Sequence, residues 1–286
     1  MDKIAIITDS VACLPRELAE QNNIRVVPAG NIFFNGKIYR DWLDVDHAEV
    51  YSMLRSKPGE FFTGSTTPSD FLNVYRDVSS RADYIIYIAL SSGFSTLYNM
   101  ACNARDLARE QLPNTHIEVV DSRTATAAQG FIALSAARAA GNGNNFREIM
   151  NTIQQIKKKV DVYYVLQTIR YVYRTGRVPK TVADVGSWLK VKPVITVQNG
   201  SAQVINLIRD KNKGIEQIKT YARQKITTQP VHIAVLHADA RDEAEKLMRD
   251  MDNEFNCVEL WIGEFSPLMI YGTGRGVIGI AFYTGN

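Results

Sequence analysis

One stretch decides the fold: the apolar run Tyr84-Ile85-Ile86-Tyr87-Ile88-Ala89-Leu90 leads directly into the polar turn Ser91-Ser92-Gly93-Phe94-Ser95-Thr96. An apolar run of this length, rich in β-branched and aromatic residues and bounded by a turn, is typical of a strand that is buried on both faces. The residues that follow, 95–111, have the spacing of an amphipathic helix. A strand followed by a helix is the building unit of parallel sheets.

The first half of the chain repeats this unit. Apolar runs at 4–7 and 117–120 are followed by helical patterns over 14–20 and 124–139. The β-α-β-α succession predicts a Rossmann-like parallel sheet with helices on both faces. A hairpin is expected at Asn35-Gly36, because this pair favours the tight turn between two antiparallel strands.

The pattern changes after Gly141-Asn142-Gly143-Asn144-Asn145 and a helical stretch at 146–159. A second hairpin signal, Asn199-Gly200, lies between two strand-like runs and predicts antiparallel pairing there. We therefore predict an α/β protein of two domains. An N-terminal Rossmann-like domain covers 1–155, and a C-terminal α/β domain with a mixed sheet covers 156–286. The strand-like runs of the second half are 160–166, 192–197, 202–207, 232–236, 258–262 and 277–283.

Hydroxyl-bearing turns follow the apolar runs of the first half. Thr8-Asp9-Ser10, Ser91–Thr96 and Asp121-Ser122 each come directly after a run, and Ser65-Thr66-Thr67-Pro68-Ser69 lies between the first two. In an open parallel sheet, ligands bind beyond the carboxyl ends of the strands. Hydroxyls and free N–H groups at the start of a helix suit a carboxylate or a phosphate. The alternative is ordinary helix capping, for which Ser and Thr are preferred.

Glycine marks two further segments. Gly272-Thr273-Gly274-Arg275-Gly276 permits close approach of the backbone to a ligand. It precedes a strand rather than a helix, so it does not fit a dinucleotide-binding motif. Thr175-Gly176-Arg177 leaves two interpretations open: a helix C-cap with a solvated arginine, or an arginine that faces an anion.

Composition excludes several classes of protein. The net charge is only +3, and the single basic run, Lys157-Lys158-Lys159, is interpreted as a solvated helix face, so no nucleic-acid partner is expected. Three widely spaced cysteines, Cys13, Cys102 and Cys257, indicate reduced thiols in a cytoplasmic protein. The sequence lacks the usual metal-ligand spacings of Cys and His. No apolar run reaches the ~20 residues of a membrane span, so no integral membrane segment is expected.

The order of these motifs resembles the DegV family of bacterial fatty-acid-binding proteins over essentially the whole chain. Each motif alone is weak, whereas six or more in the right order are specific. Several motifs are similar to family patterns: Ser65–Ser69 to Thr-Ser-Gln-Pro-Ser, Ser91–Tyr98 to Ser-Ser-Gly-Leu-Ser-Gly-Thr-Tyr, Thr175-Gly176-Arg177-Val178 to Gly-Gly-Arg-Ile, and Gly274 with Gly276 to His-Thr-Gly-Pro-Gly. The remaining matches are Ile7-Thr8-Asp9-Ser10 with Leu14-Pro15, Val120-Asp121-Ser122 with Gly130, and Lys190-Val191-Lys192-Pro193.

The resemblance implies a lipid-binding carrier without catalytic activity and without a cofactor. One long-chain fatty acid, such as palmitate or oleate, would lie between the two domains with its carboxylate on the Ser/Thr turns. The carrier would transport the acid or present it to a separate dihydroxyacetone-kinase-like fatty acid kinase. The predicted ligand site consists of Ser65, Thr66, Ser92, Ser95, Thr273, Gly274 and Arg275.

Two departures from the family pattern concern this implied site. Gly272 stands where the family has the His of His-Thr-Gly-Pro-Gly, and Arg275 stands where it has Pro. A carboxylate-binding histidine is therefore missing, and we hypothesise that Arg275 or Tyr271 supplies part of the donor set.

Two rival functions remain open from the sequence. The chain could be an enzyme or binder that acts on a small phosphorylated or carboxylated metabolite, with His237 or Asp9 as the base. It could also be an interaction protein whose ligand site has decayed at Gly272. A long apolar cavity favours the fatty acid, and a short polar cleft favours the metabolite.

Overall fold

A computed structural model describes residues 2–177 and 191–285. Val178 and Lys190, which belong to two of the family-like motifs, lie outside the described residues. The strands are β1 (Ile4–Asp9), β2 (Ile24–Val27), β3 (Gly30–Phe34), β4 (Lys37–Arg40), β5 (Phe62–Ser65), β6 (Tyr84–Ala89), β7 (His116–Asp121), β8 (Asp161–Val165), β9 (Lys192–Gln198), β10 (Ser201–Ile208), β11 (Val231–Ala238), β12 (Cys257–Glu264) and β13 (Val277–Thr284). The α-helices are α1 (Arg16–Gln21), α2 (His47–Ser56), α3 (Pro68–Ser79), α4 (Leu97–Gln111), α5 (Thr126–Gly141), α6 (Phe146–Lys159), α7 (Arg170–Arg174), α8 (Lys211–Lys225), α9 (Arg241–Glu254) and α10 (Pro267–Thr273).

The predicted parallel sheet is confirmed. Its strand order is β2-β1-β6-β7, and all three pairings are parallel. Alternate residues of the apolar run face opposite layers: Ile86 and Ile88 pack toward α5, whereas Ile85 and Tyr87 pack toward α3 and α4. Burial on both faces explains why β6 has no charged residue along its length.

The predicted mixed sheet is also confirmed. Its six strands lie in the order β10-β9-β8-β13-β11-β12, and only β11 and β12 pair in parallel. The hairpin at Asn199-Gly200 joins β9 to β10. Asn199 and Gly200 both have positive φ, as the tight hairpin turn requires.

The sequence predicts a third sheet only in part. The expected hairpin at Asn35-Gly36 joins β3 to β4, but β5 adds a third antiparallel strand in the order β4-β3-β5. Ser65 is expected in a polar turn, and the structure shows that it ends this short strand. Only four residues pair, and two of them are polar, so the sequence has too little alternation to indicate a strand.

Helix α5 connects the two larger sheets. Every residue from Thr126 to Ala137 is buried, and the helix belongs to the apolar core that includes strands of both sheets. The predicted domain boundary at 155/156 falls inside α6, shortly before β8 begins the mixed sheet.

A polar contact also joins α5 to the mixed sheet. Glu259 on β12 accepts two hydrogen bonds from Arg138 on α5, at 2.6 and 2.9 Å, and lies 2.7 Å from Nδ1 of His232. Burial alone would raise the pKa of Glu259, but hydrogen bonds from Arg138 and His232 lower it to about 2. The carboxylate therefore stays charged and paired at the junction of the two sheets.

Within the described residues, no helix is long and apolar enough to cross a membrane.

Candidate functional site

A cavity that is partly open to solvent lies at the carboxyl edge of the parallel sheet, and its empty space, counted together with the open solvent at its mouth, is about 930 Å³. The turns after β1, β6 and β7 form one wall, and the inner face of β8, β9 and β10 forms the opposite wall. Helices α7 and α10 complete the enclosure. The position is the one expected for a ligand site in an open α/β sheet.

The interior of the cavity is apolar and shielded from water. Val11, Leu90, Leu166, Ile195 and Phe265 all line it, and each is at most 7% exposed. Such walls favour a ligand that buries hydrocarbon.

The polar lining residues fall into two groups by exposure. Thr126 and Tyr164 are buried, whereas the others are partly or largely exposed, namely Thr63, Ser95, Arg177, Tyr271 and Thr273. The exposed group therefore marks the mouth of the cavity. Within the described part of the chain, the lining contains no Asp, Glu, His or Cys side chain.

Ser95 lies at the mouth because the turn after β6 leads into α4. Its Oγ accepts a hydrogen bond from the N–H of Leu97 at 3.3 Å. Its hydroxyl proton makes no hydrogen bond to the described residues, so the side chain can donate to an anion.

Arg177 lies beside Ser95. Its Nε donates to the carbonyl of Phe94 at 3.1 Å. Partial desolvation of the guanidinium lowers the pKa of Arg177, and the nearby Tyr271 opposes that shift. A guanidinium remains charged in proteins, so the mouth carries one fixed positive charge. The structure thus favours the anion-facing interpretation of this arginine.

The predicted site residues are only partly brought together. Ser95 and Thr273 line the cavity, and the Thr273 hydroxyl donates to the carbonyl of Met269 at 2.9 Å. Ser65 lies close by, with its Oγ 3.5 Å from Oγ1 of Thr96.

The other predicted residues have different partners. Thr66 donates to the carbonyl of Pro28 at 3.0 Å, and Ser92 donates to Asp121 at 2.6 Å. Neither residue is part of the cavity lining.

The residues in and around the glycine cluster at the end of α10 also differ in whether they line the cavity. Gly274 has a φ of +80°, and a Cβ there would lie 2.5 Å from the ring of Tyr171. Arg275 forms an ion pair with Asp239, and its guanidinium lies 5.8 Å from the ring centre of Tyr51. Arg275 is therefore not part of the cavity lining, whereas Tyr271 is.

Gly272 also lines the cavity. A Cβ built at this position meets no atom within 4 Å, and the backbone does not have positive φ. The position that carries a histidine in the family pattern therefore faces open space at the mouth.

The two candidate bases of the rival enzyme function lie outside the lining. Asp9 is fully buried and accepts hydrogen bonds from Tyr87, Leu90, Gln129 and Val11. Burial raises its pKa to about 6, although these hydrogen bonds oppose the shift.

His237 is 2% exposed, and burial lowers its pKa. Its Nδ1 lies 3.9 Å from Glu264. In the described parts of the chain, 2–177 and 191–285, no group of three or more His, Cys, Asp or Glu residues could hold a metal ion.

Comparison with known proteins agrees with this architecture. A family model described as an uncharacterised protein of the DegV family matches residues 3–285. The chain belongs to the DegV family. It is 34% identical over 244 residues to a DegV domain-containing protein of Caldanaerobacter subterraneus subsp. tengcongensis, covering 85% of each chain. It is 30% identical over 282 residues to the protein DegV of Bacillus subtilis, covering 98% of each.

A solved structure of a DegV family member has the same fold. The crystal structure of DegV from Bacillus subtilis, described as a fatty acid binding protein, superimposes with a TM-score of 0.89 at 26% identity and covers 100% of both chains. The predicted DegV membership and fold class are therefore confirmed.

Sequence analysis missed two parts of this DegV site. The first is the contribution of Leu268 and Met269 on α10, since a helix of seven residues is too short to show a helical period. The second is the buried pair of Thr126 and Tyr164. Tyr164 could have been placed by the alternation of β8, whose even-numbered residues face α5.

Proposed function

We propose that this protein binds one long-chain fatty acid, with the acyl chain in the cavity and the carboxylate at its mouth. The observation that carries the proposal is the division of one cavity into a dry apolar interior and a partly exposed mouth with donors. The related DegV of Bacillus subtilis is described as a fatty acid binding protein, which supports the proposal.

The mouth of the cavity supplies hydrogen-bond donors for a carboxylate. A carboxylate removed from water without partners is very costly, so donors must replace its hydration. In our proposal Ser95 donates its free hydroxyl proton and Arg177 donates from its guanidinium. Thr273, Tyr271 and Ser65 border this position.

Two of the residues first expected at the carboxylate have a supporting role in this proposal. Ser92 stabilises the turn after β6 by a hydrogen bond to Asp121, and Arg275 stabilises the segment after α10 by an ion pair with Asp239. Thr66 and Gly274 likewise shape the backbone next to the mouth.

Burial of the acyl chain supplies the affinity. Each methylene transferred from water contributes about 0.8 kcal/mol, so roughly fourteen methylenes contribute about 11 kcal/mol before the cost of association. Affinity differences between related complexes are mostly differences in dissociation rate, so a long acid should leave slowly.

We further propose that the protein is a carrier rather than an enzyme. The described lining holds no carboxylate, imidazole or thiol that could act as a base or nucleophile. The carboxylate at the mouth would remain reachable by a separate kinase of the dihydroxyacetone-kinase-like type, which would phosphorylate it.

Native mass spectrometry of the gently purified protein tests the binding proposal. We expect a bound mass equal to one long-chain fatty acid, which disappears after delipidation and returns on addition of palmitic or oleic acid. A ligand-free protein that also fails to bind either acid after delipidation would refute the proposal. The kinase role is tested separately, by acyl phosphate formation when a fatty acid kinase is supplied with the loaded protein or with free acid. Equal rates with both would exclude presentation.

A further inference from the structure

Two polar side chains interrupt the apolar interior of the cavity. Thr126 at the start of α5 is 1% exposed, and Tyr164 on β8 is 6% exposed. Both line the cavity, and their hydroxyl oxygens are in direct hydrogen-bond contact with each other. A buried polar pair in an otherwise apolar cavity needs an explanation, because an all-apolar wall would bind hydrocarbon at least as well.

The backbone of Thr126 is unusual as well. Its φ is +57°, a region that β-branched residues rarely adopt and that costs free energy. Thr126 is therefore held in an unfavourable conformation at a position where its side chain reaches the cavity.

The protons of this pair can be assigned from the contacts. The Thr126 hydroxyl donates to the carbonyl of Ala125 at 2.7 Å, which uses its only proton. With that proton used, we assign the contact between the two hydroxyls as a donation from Tyr164 to Thr126. Burial raises the pKa of Tyr164 well above its usual value, so the phenol keeps its proton. Both protons are used, and only acceptor lone pairs remain.

Building on the proposed fatty-acid function, we propose that the Thr126–Tyr164 pair selects acyl chains that carry a hydroxyl group. A hydroxyl on the chain would donate to the free lone pair of Tyr164. A keto group has no proton to donate and therefore gains no affinity from this pair. An unsubstituted chain is still accepted, because the pair already satisfies its own two donors.

The pair also limits the position of the hydroxyl along the chain. In the proposed binding mode the carboxylate lies at the mouth, whereas the Thr126–Tyr164 pair lies in the buried interior. A hydroxyl next to the carboxyl group therefore remains at the mouth and cannot reach Tyr164. Selection should be confined to hydroxyls in the inner part of the chain.

Competition binding with stearic acid, a positional series of monohydroxystearic acids and the matching oxostearic acids tests this specificity. At the matching position we expect the hydroxy acid to bind the delipidated wild-type protein at least as tightly as stearic acid. The oxo acid should bind about 10-fold more weakly, because its carbonyl faces lone pairs. Equal rejection of all hydroxy acids relative to stearic acid would refute the proposal.

Variants distinguish a role of Tyr164 in ligand specificity from a purely structural role. Tyr164→Phe should lower the ratio of hydroxy-acid to stearic-acid affinity by about 10-fold, since the ligand hydroxyl loses the Tyr164 acceptor. Tyr163→Phe is the matched control, because Tyr163 is the adjacent residue of β8 and packs in the opposite core layer. An unchanged ratio in Tyr164→Phe would overturn the proposal.

Thr126→Ala gives a second, independent readout. It removes the acceptor of the Tyr164 hydroxyl and so frees that proton. The oxo acid should then gain affinity relative to stearic acid, by about 3- to 10-fold. Absence of this gain contradicts the assigned direction of the hydrogen bond. Stearic acid binding by the wild-type protein monitors the proposed function itself, so its failure is distinguishable from failure of the selection.

Discussion

Replacement of Arg177 by glutamine should weaken fatty-acid binding without damage to the fold. Nε of Arg177 is held by the carbonyl of Phe94 at 3.1 Å, and the two terminal nitrogens make no hydrogen bond to the described residues. Those nitrogens lie at the mouth next to Ser95, where we place the carboxylate. The shorter glutamine side chain would keep polar donors at this position and lose the charge.

The size of the effect follows from the environment. A hydrogen bond to a charged group contributes about 1.5–3 kcal/mol, and the exposure of Arg177 favours the lower end, near 1.5–2 kcal/mol. With about 1.4 kcal/mol for each factor of ten, we expect the affinity for stearic acid to fall about 10- to 30-fold. The affinity for stearyl alcohol, which has no charge, should change less than about 3-fold.

Isothermal titration calorimetry of delipidated protein measures both ligands. Arg275→Gln is the matched control, because Arg275 is also an arginine near α10 but pairs with Asp239 away from the cavity. Unchanged binding in Arg177→Gln, together with a loss in Arg275→Gln, would refute the placement of the carboxylate. It would support the alternative that Arg275 replaces the missing histidine.

Four further outcomes are expected. Ala202→Trp fills the interior from β10, so palmitic acid should lose far more affinity than a medium-chain acid; equal losses in a fluorescence displacement assay would contradict the placement of the acyl chain. The histidine of Gly272→His fits the open space at the mouth. Below about pH 6.5, where imidazole is protonated, this variant should bind palmitic acid about 3- to 10-fold more tightly than the wild-type protein, as measured by calorimetry across pH. Glu259→Gln should lower the free energy of unfolding in urea by about 1–3 kcal/mol, because a partly buried arginine loses its partner; an unchanged midpoint and slope would show that the contact contributes nothing. Asp41 directly follows β4, is fully buried and accepts a hydrogen bond from the hydroxyl of Ser10. Burial raises its pKa to about 6 from an unfolded value of 3.8, so stability should rise as pH falls through 6. In urea unfolding, Asp41→Asn should remove up to about 3 kcal/mol of that rise between about pH 7 and pH 4.

The long elements could be predicted from sequence because burial on both faces leaves an unambiguous pattern. β6 and α4 show this, since the apolar run and the helical spacing that follow one another at 84–111 fix a strand–helix unit without tertiary information. Short elements are different. β5 has four residues and α10 has seven, and each is stabilised by what it packs against rather than by its own period.

The site was predictable at the level of turns but not of side-chain direction. Ser95 and Thr66 both belong to hydroxyl-rich turns, yet Ser95 lines the cavity and Thr66 binds the carbonyl of Pro28. Arg275 and Arg177 both follow glycines, and only Arg177 reaches the mouth. The difference depends on Asp239, which is 36 residues from Arg275 in the chain. No local pattern encodes such a partner.

The burial of α5 has a consequence for the kinetics of ligand exchange. A helix that both sheets bury cannot be uncovered on one side without exposing apolar surface along about three turns, so the two halves of the protein cannot swing apart to release a ligand. We expect exchange to use local movement of short wall segments such as α10, whose seven residues include several that line the cavity. Release should therefore be limited by a local opening rate that responds little to urea, whereas global unfolding should be one cooperative transition that includes both sheets.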